Sequence, residues 1–185
     1  MMRFCMGAVL LCCSIGCTQE MPTDQEMITN FVHNESAFTK LVQIVQEGMP
    51  GEHYPAFEND RDSVLLSSID REKTFLLDSL LCVVGVERMF YTGTDAPAEM
   101  KRDSIASRRI EFLYASRGLS ISGATKEYVY APQLRKTLPS PQDSAIYMVK
   151  IVQEDLERLS ETYSQNIELY RPLKGDWYIC REREN

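Results

Sequence analysis

The hydrophobic pattern changes its period along the chain, and this change limits the possible folds more than any other sequence feature. Apolar residues recur at helical spacing over residues 27–45 and again over 65–84. Further on, the spacing falls to two residues, with apolar side chains at Ile110, Phe112 and Tyr114. A chain that begins with helical segments and continues with strands predicts an α+β fold with an antiparallel sheet.

Capping residues and turn residues divide this pattern into elements. Thr23 and Glu26 are three residues apart and form a capping box, while Gly85 and Gly175 are expected to end a helix and a turn. Helical spacing predicts helices at about residues 23–47, 63–83 and 143–163. Extended segments are expected at about residues 86–91, 108–115, 119–121 and 128–130, with a final hairpin of 167–172 and 177–183. The sequence predicts one α+β domain with N-terminal helices, a third helix and an antiparallel sheet of about four to six strands.

Composition supports a folded domain and excludes one class of partner. The chain has 185 residues, of which 44% are hydrophobic, and this is enough apolar mass for the core of one domain. Its formal net charge is −7 and its pI is near 5.0, whereas a nucleic-acid binder needs a basic face. We therefore expect no nucleic-acid partner.

The N-terminal segment has the layout of a secretory signal. Arg3 is followed by an apolar run over residues 5–15, which is shorter than the roughly 20 residues of a membrane-crossing helix. The residues that follow, Gly16 and Cys17, resemble the lipobox of bacterial lipoprotein precursors, although Ser14 stands where that family usually has Leu. In that family the signal is removed before the cysteine, which then receives acyl chains.

The lipoprotein resemblance implies a cellular location for the chain. It implies a signal peptide over residues 1–16, lipidation of Cys17 and a lipid-anchored tether over 17–23, and we expect the single α+β domain over 24–185. Several acyl chains on one cysteine anchor a protein firmly, so the membrane is an expected partner. Thr18 stands where many proteins retained in the inner membrane have Asp. The resemblance thus favours the outer membrane over the inner membrane of the cell envelope.

Two further stretches resemble small bacterial envelope lipoproteins. They are the Tyr-Arg-Pro-Leu-Lys-Gly-Asp-Trp-Tyr of residues 170–178 and the Gly-Leu-Ser-Ile-Ser-Gly of residues 118–123, which is followed by residues 126–130. These motifs are structural. The resemblance therefore implies a compartment and a fold class and brings no catalytic, cofactor or metal residues with it.

Two cysteines remain in the expected domain, Cys82 and Cys180. In an oxidising compartment they could form a disulfide, and a bridge over so long a loop could contribute up to about 4 kcal/mol. The alternative is a pair of buried free thiols that act as small hydrophobic side chains. The apolar surroundings of Cys82 in the sequence favour the free thiols slightly.

No motif in the sequence carries catalytic, metal or cofactor chemistry. Residues 118–122 come nearest to a nucleophile elbow, but Ser122 occupies the place of the required Gly. His33 and His53 both precede that segment, and neither belongs to a cluster of three or four metal ligands. We therefore expect no enzyme activity, no metal and no cofactor, although a hydrolase with two carboxylates from distant segments would leave no local motif.

Aromatic residues are abundant on the expected strands. An aromatic sheet face can be a recognition surface, but strand aromatics in a small domain more often form the core beneath helices. The residues concerned are Tyr114, Tyr128, Tyr130, Tyr170, Trp177 and Tyr178.

Three functional hypotheses follow from these observations. The first is a non-catalytic lipoprotein that binds another envelope protein in an immunity, inhibitor or assembly role, for which acidity would suit a basic partner. The second is a lipoprotein that binds a small ligand or a glycan in a pocket with aromatic walls. The third is an enzyme with a dispersed site, which would bring carboxylates together.

Overall fold

The computed structural model describes residues 20–47, 51–53, 71–91, 109–119, 122–137 and 147–184. The helices in these ranges are α1 (Asp24–His33), α2 (Glu35–Gln46), α3 (Arg71–Val84), α4 (Leu134–Thr137) and α5 (Leu156–Ser160). The strands are β1 (Gly51–His53), β2 (Arg88–Tyr91), β3 (Ile110–Leu119), β4 (Ser122–Tyr130), β5 (Tyr147–Ile151), β6 (Asn166–Pro172) and β7 (Trp177–Arg183). The expected signal segment and Cys17 lie outside the described residues.

The strands form one mixed sheet in the order β1-β2-β3-β4-β7-β6-β5. Each neighbouring pair is antiparallel except β5 and β6, which run parallel. The predicted α+β class is confirmed. Within the described residues the sheet has seven strands, where four to six were expected, and one of its pairs is parallel.

The two faces of the sheet carry different apolar clusters. The first face, with Phe112, Tyr128, Trp177 and Ile179, packs beneath α1, α2, α3 and α5 in the main core. The second face, with Tyr170, Tyr178 and Cys180, packs with Leu134 of α4 in a smaller cluster. The strand aromatics named above lie in or against these clusters, so their interpretation as core is confirmed.

The first predicted helix is broken into α1 and α2 at Asn34. In one straight helix, Phe31 and Phe38 would be about 10 Å apart along the axis. The break brings their ring centroids to 5.2 Å, and both rings pack against Trp177 at 5.4 and 5.3 Å. Asn34 supports the break, since its side-chain amide donates to Asn30 Oδ1 at 2.7 Å. Core packing therefore overrides the continuous helical pattern.

The third predicted helix, at residues 143–163, is helical within the described residues only over α5. Residues 147–151 form β5, which pairs with β6, and helix begins only at Leu156 in α5. Val149 and Ile151 alternate on the second face as strand residues do. Asp155 then starts the short helix, because its carboxylate accepts from the N–H of Arg158 at 3.0 Å. Residues 143–146 lie outside the described residues.

Several local predictions are confirmed. The hydroxyl of Thr23 accepts from the N–H of Glu26, whose carboxylate accepts from the N–H of Thr23 at 2.7 Å. Gly85 ends α3 with a φ of 72°, a conformation that glycine adopts without steric cost. The C-terminal hairpin has its predicted strands, and Gly175 in its turn has a φ of 60°.

A buried carboxylate joins α1 to the sheet and to α5. Asp24 is 1% exposed, and it accepts from Lys126 Nζ at 2.8 Å, the Leu156 N–H at 2.9 Å and Arg171 Nη1 at 2.9 Å. Lys126 is fully buried, and its ammonium group also donates to the Pro22 carbonyl at 2.7 Å. One carboxylate thereby fixes two helices and two strands.

The environment of Asp24 keeps it ionised. Burial alone would raise the pKa of this carboxyl, but the hydrogen bonds from Lys126, Leu156 and Arg171 together lower the pKa below its ordinary value of 3.8. The stabilisation is fully present above that ordinary value and is lost as the pH falls through the lower value of the folded state.

We expect Asp24→Asn to lower the free energy of unfolding by about 3–5 kcal/mol, because it leaves the buried Lys126 ammonium without its counter-ion. Urea unfolding at neutral pH measures the change. Asp176→Asn, at an exposed position in the C-terminal turn, is the control and should alter stability by less than about 0.5 kcal/mol. Equal effects of the two substitutions would contradict this role for Asp24.

Candidate functional site

Four glutamates project from neighbouring strands onto the second face of the sheet. We call Glu111, Glu127, Glu168 and Glu182 the glutamate cluster. Glu182 of β7 lies opposite Glu168 of β6, and Glu127 of β4 lies opposite Cys180 of β7. Side chains alternate along a strand, so these positions place the carboxyl groups on the face that carries Cys180.

Arg109 is a cation that lies among these carboxyl groups. Its Nε pairs with Glu111, and its Nη1 donates to Glu168 Oε1 at 2.6 Å and to the Tyr170 hydroxyl at 2.6 Å. The Tyr170 hydroxyl in turn donates to Glu168. The side chains of Arg109, Glu111 and Glu168 are only 21%, 18% and 10% exposed. The guanidinium of Arg109 therefore binds two carboxyl groups and one hydroxyl in a largely buried network.

This crowding of carboxyl groups changes their protonation. The pKa of Glu127 is raised to about 8, first by burial and then by the neighbouring carboxylates Glu111 and Glu182, against the attraction of Arg109. Burial also raises the pKa of Glu111, against the attraction of Arg109. With a pKa of about 8, Glu127 holds its proton at neutral pH.

The two cysteines are free thiols on different parts of the fold, so the possible disulfide between them is absent. Cys82 is exposed on α3, which packs on the first face, whereas Cys180 is buried on the second face among Tyr170 and Tyr178. The expectation that both thiols are buried is wrong for Cys82. Burial raises the pKa of the Cys180 thiol, and the nearby Glu168 and Glu127 add to this effect. Cys180 is therefore an unreactive thiol.

The open depressions on helices α1 and α2 differ from a small-molecule pocket with aromatic walls. One open depression on α1, of about 360 Å³, is lined by Gln25, Glu26, Thr29, Asn30 and His33. Another, on α2, is lined by Glu35, Ser36, Thr39, Lys40 and Gln43. Polar side chains line both depressions, so neither matches the kind of pocket that a ligand-binding function would predict.

The glutamate cluster was missed by sequence reasoning, which singled out Cys17 and the pair Cys82 and Cys180. Its members lie far apart in the chain, and strand pairing brings them together. The alternation of charge in Lys126-Glu127 and in Arg181-Glu182-Arg183 was the available signal, since in a strand it places the two signs on opposite faces.

Converging carboxylates are the feature expected of an enzyme with a dispersed site, and they can also hold a cationic group. Within the ranges that the structure describes, no three His, Cys, Asp or Glu side chains are placed to hold one metal ion. The described helices include none with the length and apolarity needed to cross a bilayer.

Comparison with known proteins gives a family without an assigned activity. A family model described as a domain of unknown function (DUF4948) matches residues 20–185. The chain matches no curated protein and no solved structure.

We expect the stability of the protein to fall as the pH rises from about 5 to 8. The folded state keeps a proton on Glu127 up to a pKa of about 8, whereas the unfolded chain releases it near 4.5. Such a group changes the free energy of unfolding by up to about 1.4 kcal/mol per pH unit. The free energy of unfolding, measured with urea across this pH range, should fall less steeply with pH in Glu127→Gln than in the natural chain.

Glu161→Gln is the control for this pH dependence, since Glu161 is an exposed carboxyl at the end of α5. This substitution should leave the pH dependence of the free energy of unfolding as it is in the natural chain. The same slope in all three proteins would show that Glu127 has no raised pKa in the folded state.

We expect an alkylating reagent to modify Cys82 and to leave Cys180 untouched in the native, non-reduced protein, because Cys82 is exposed and Cys180 is buried. Peptide mapping by mass spectrometry identifies the labelled residue. Denaturation before labelling should expose Cys180 as well. A chain that takes no label at either residue even when denatured would instead contain the bridge.

Proposed function

The chain belongs to the DUF4948 family, and we propose that it is a non-catalytic envelope lipoprotein that binds another protein through the glutamate cluster. In this proposal, a lipid on Cys17 anchors the domain in the membrane, and the outer membrane is favoured over the inner one. The role is that of an accessory module of the immunity, inhibitor or assembly type.

The placement of four glutamates side by side on one sheet face is the observation that carries the binding proposal, and the raised pKa of Glu127 agrees with it. At neutral pH Glu127 keeps its proton because burial and the neighbouring Glu111 and Glu182 raise its pKa more than Arg109 lowers it. A Lys or Arg side chain of a partner would take the place of that proton and pair with the released carboxylate. The second face therefore suits a partner with a basic protrusion.

The anchor proposal is supported by the position of the first helix. α1 begins at Asp24, and the intervening residues 18–23 can span at most about 25 Å when extended. Lipid on Cys17 would therefore hold the domain close to the bilayer surface. A partner in the same membrane would meet it at a high effective concentration.

A second candidate, an enzyme that uses two carboxyl groups, is favoured by the same cluster. A protonated carboxyl near an ionised one is the arrangement of acid and base in many hydrolases. Glu127 would supply the proton, and Arg109 would hold the Glu168 carboxyl group in place beside it. Turnover of a substrate that Glu127→Gln abolishes, without loss of folding, would support this candidate over the binding module.

Native mass spectrometry of the full chain, extracted from its own membrane in a non-ionic detergent, tests the binding proposal. We expect a stoichiometric protein adduct that dissociates as salt is raised, because charge pairing contributes to the complex. Glu127→Gln should weaken the complex at least tenfold, and Glu161→Gln should not. A bare monomer, or an adduct insensitive to Glu127→Gln, would contradict the proposal, and a small-molecule adduct would favour the ligand-binding alternative.

The denatured mass from the same sample tests the anchor separately. We expect a chain that begins at Cys17 and carries acyl groups. An unmodified Cys17, or a retained signal segment, would contradict the lipoprotein proposal and would leave the binding test unaffected.

A further inference from the structure

The first face of the sheet carries a concentration of basic side chains at the end where α1 begins. Arg117 of β3 lies opposite Ala124 of β4, and Ala124 lies opposite Arg183 of β7. In the next row on the same face, Lys126 lies opposite Arg181. We call Arg117, Lys126, Arg181 and Arg183 the basic cluster. Such a concentration is unexpected in a chain whose formal net charge is −7.

Small residues leave room between these long side chains. Adjacent strands are about 4.8 Å apart, so the Cα atoms of Arg117 and Arg183 are separated by about 10 Å. Ala124 stands between them with only a methyl group, and Ala115 occupies the position opposite Lys126. The guanidinium groups of Arg117 and Arg183 can therefore both reach one bound group above Ala124.

Several donors of the basic cluster have no partner within the described part of the chain. Arg181 is 5% exposed, and its Nη2 pairs with Glu157 Oε1 at 3.0 Å, but its Nε and Nη1 are buried without a hydrogen bond. The Nε of Arg183 is also buried without one, although its two other nitrogens donate to the carbonyls of Ser160 and Tyr163. Buried donors in native proteins are nearly always satisfied, so these atoms call for an acceptor.

The charges around Arg181 are unbalanced. Glu157 pairs with Arg181 and its Oε2 is 4.0 Å from Lys126 Nζ, while Asp24, which also attracts Arg181, is engaged by Lys126 and Arg171. Burial lowers the pKa of Arg181, and the neighbouring Arg183 and Arg117 lower it against the attraction of Glu157. Repulsion among these guanidinium groups would be relieved by a further anion.

We infer that the basic cluster binds a phosphate group, at the position that the Glu157 carboxylate now holds. Arg117, Arg181 and Arg183 would donate to its oxygens. The Glu157 side chain is 38% exposed, but its Oε2 is buried without a hydrogen bond, so a phosphate that displaces this carboxylate into solvent would relieve it and open the way to the buried Nε and Nη1 of Arg181. A phosphate accepts several hydrogen bonds at once, and guanidinium groups suit it in charge and geometry.

The phosphate group could come from a lipid headgroup or from solution. The Pro22 carbonyl accepts from Lys126 at 2.7 Å, so the basic cluster lies beside the chain that leads back to Cys17. If Cys17 carries lipid, the cluster is within reach of the headgroups of the same membrane. The headgroup source rests on the proposed anchor, whereas binding of free phosphate does not.

Arginine Nε–Hε resonances in ¹⁵N NMR spectra test the inference on the full mature chain in a non-ionic detergent. Inorganic phosphate is titrated at constant ionic strength, with chloride as the balancing anion, and Arg183→Lys assigns one resonance. We expect saturable shifts of the Arg181 and Arg183 resonances. Their absence, or equal shifts with chloride alone, would overturn the inference.

Three variants make the test specific. Arg117→Glu changes an exposed member of the cluster and should weaken phosphate binding at least tenfold. Arg135→Glu makes the same charge change at an exposed position on α4 and should leave binding as it is. Glu157→Gln removes the competing carboxylate and should tighten binding at least threefold. Equal weakening by Arg117→Glu and Arg135→Glu, or no tightening by Glu157→Gln, would contradict the proposed position.

Nanodiscs distinguish the two sources. The same resonances are compared in discs of phosphatidylcholine and in discs that also contain phosphatidylglycerol, with no free phosphate present. Shifts that appear only with phosphatidylglycerol and vanish in Arg117→Glu assign the site to an anionic headgroup. Shifts with free phosphate and none with either disc assign it to a soluble phosphate, and no shift under any condition overturns the inference.

Discussion

The buried carboxylate of Asp24 is the interaction on which the arrangement of the first face depends. It binds Lys126 of β4, Arg171 of β6 and the N–H of Leu156, so that it connects two strands with the starts of α1 and α5. A buried charge is tolerated only when its partners replace the water it has lost, and here both oxygens of Asp24 are engaged. The connection also draws Pro22 onto the sheet, where Lys126 holds its carbonyl.

The sheet separates charges of opposite sign. On β4, Lys126 points to the first face and Glu127 to the second, and Arg181 and Glu182 repeat this division on β7. The two signs of these strand residues are thus divided between the faces. Arg109 pairs with two members of the glutamate cluster, and Asp24 and Glu157 pair with Lys126 and Arg181 of the basic cluster. The proposed cationic partner on one face and the proposed anionic group on the other both rest on this one pattern.

The sequence predicts elements well where local signals and core packing agree. The capping box of α1, the glycine after α3 and the C-terminal hairpin are all correctly placed, because each depends on a few neighbouring residues. The break at Asn34 and strand β5 could not be predicted, because contacts with Trp177 and pairing with β6 decide them. Neither the glutamate cluster nor the basic cluster could be derived in full from the sequence, because the register of strand pairing decides which of their residues lie side by side. Asp24 is typical of a first helical turn by sequence, and only its burial shows its wider role.

The two clusters also differ in what could reach them. The basic cluster lies next to Pro22 and the start of α1, at the end of the sheet nearest the expected anchor, so an anionic group at the membrane surface is close to it. The glutamate cluster lies on the opposite face of the same strands, away from α1 and α2. A sheet held by its basic end at an anionic surface would present its acidic face to other proteins. Anionic lipid would repel that face and leave it open to a basic partner, so the separation of charge would orient the domain as well as select what it binds.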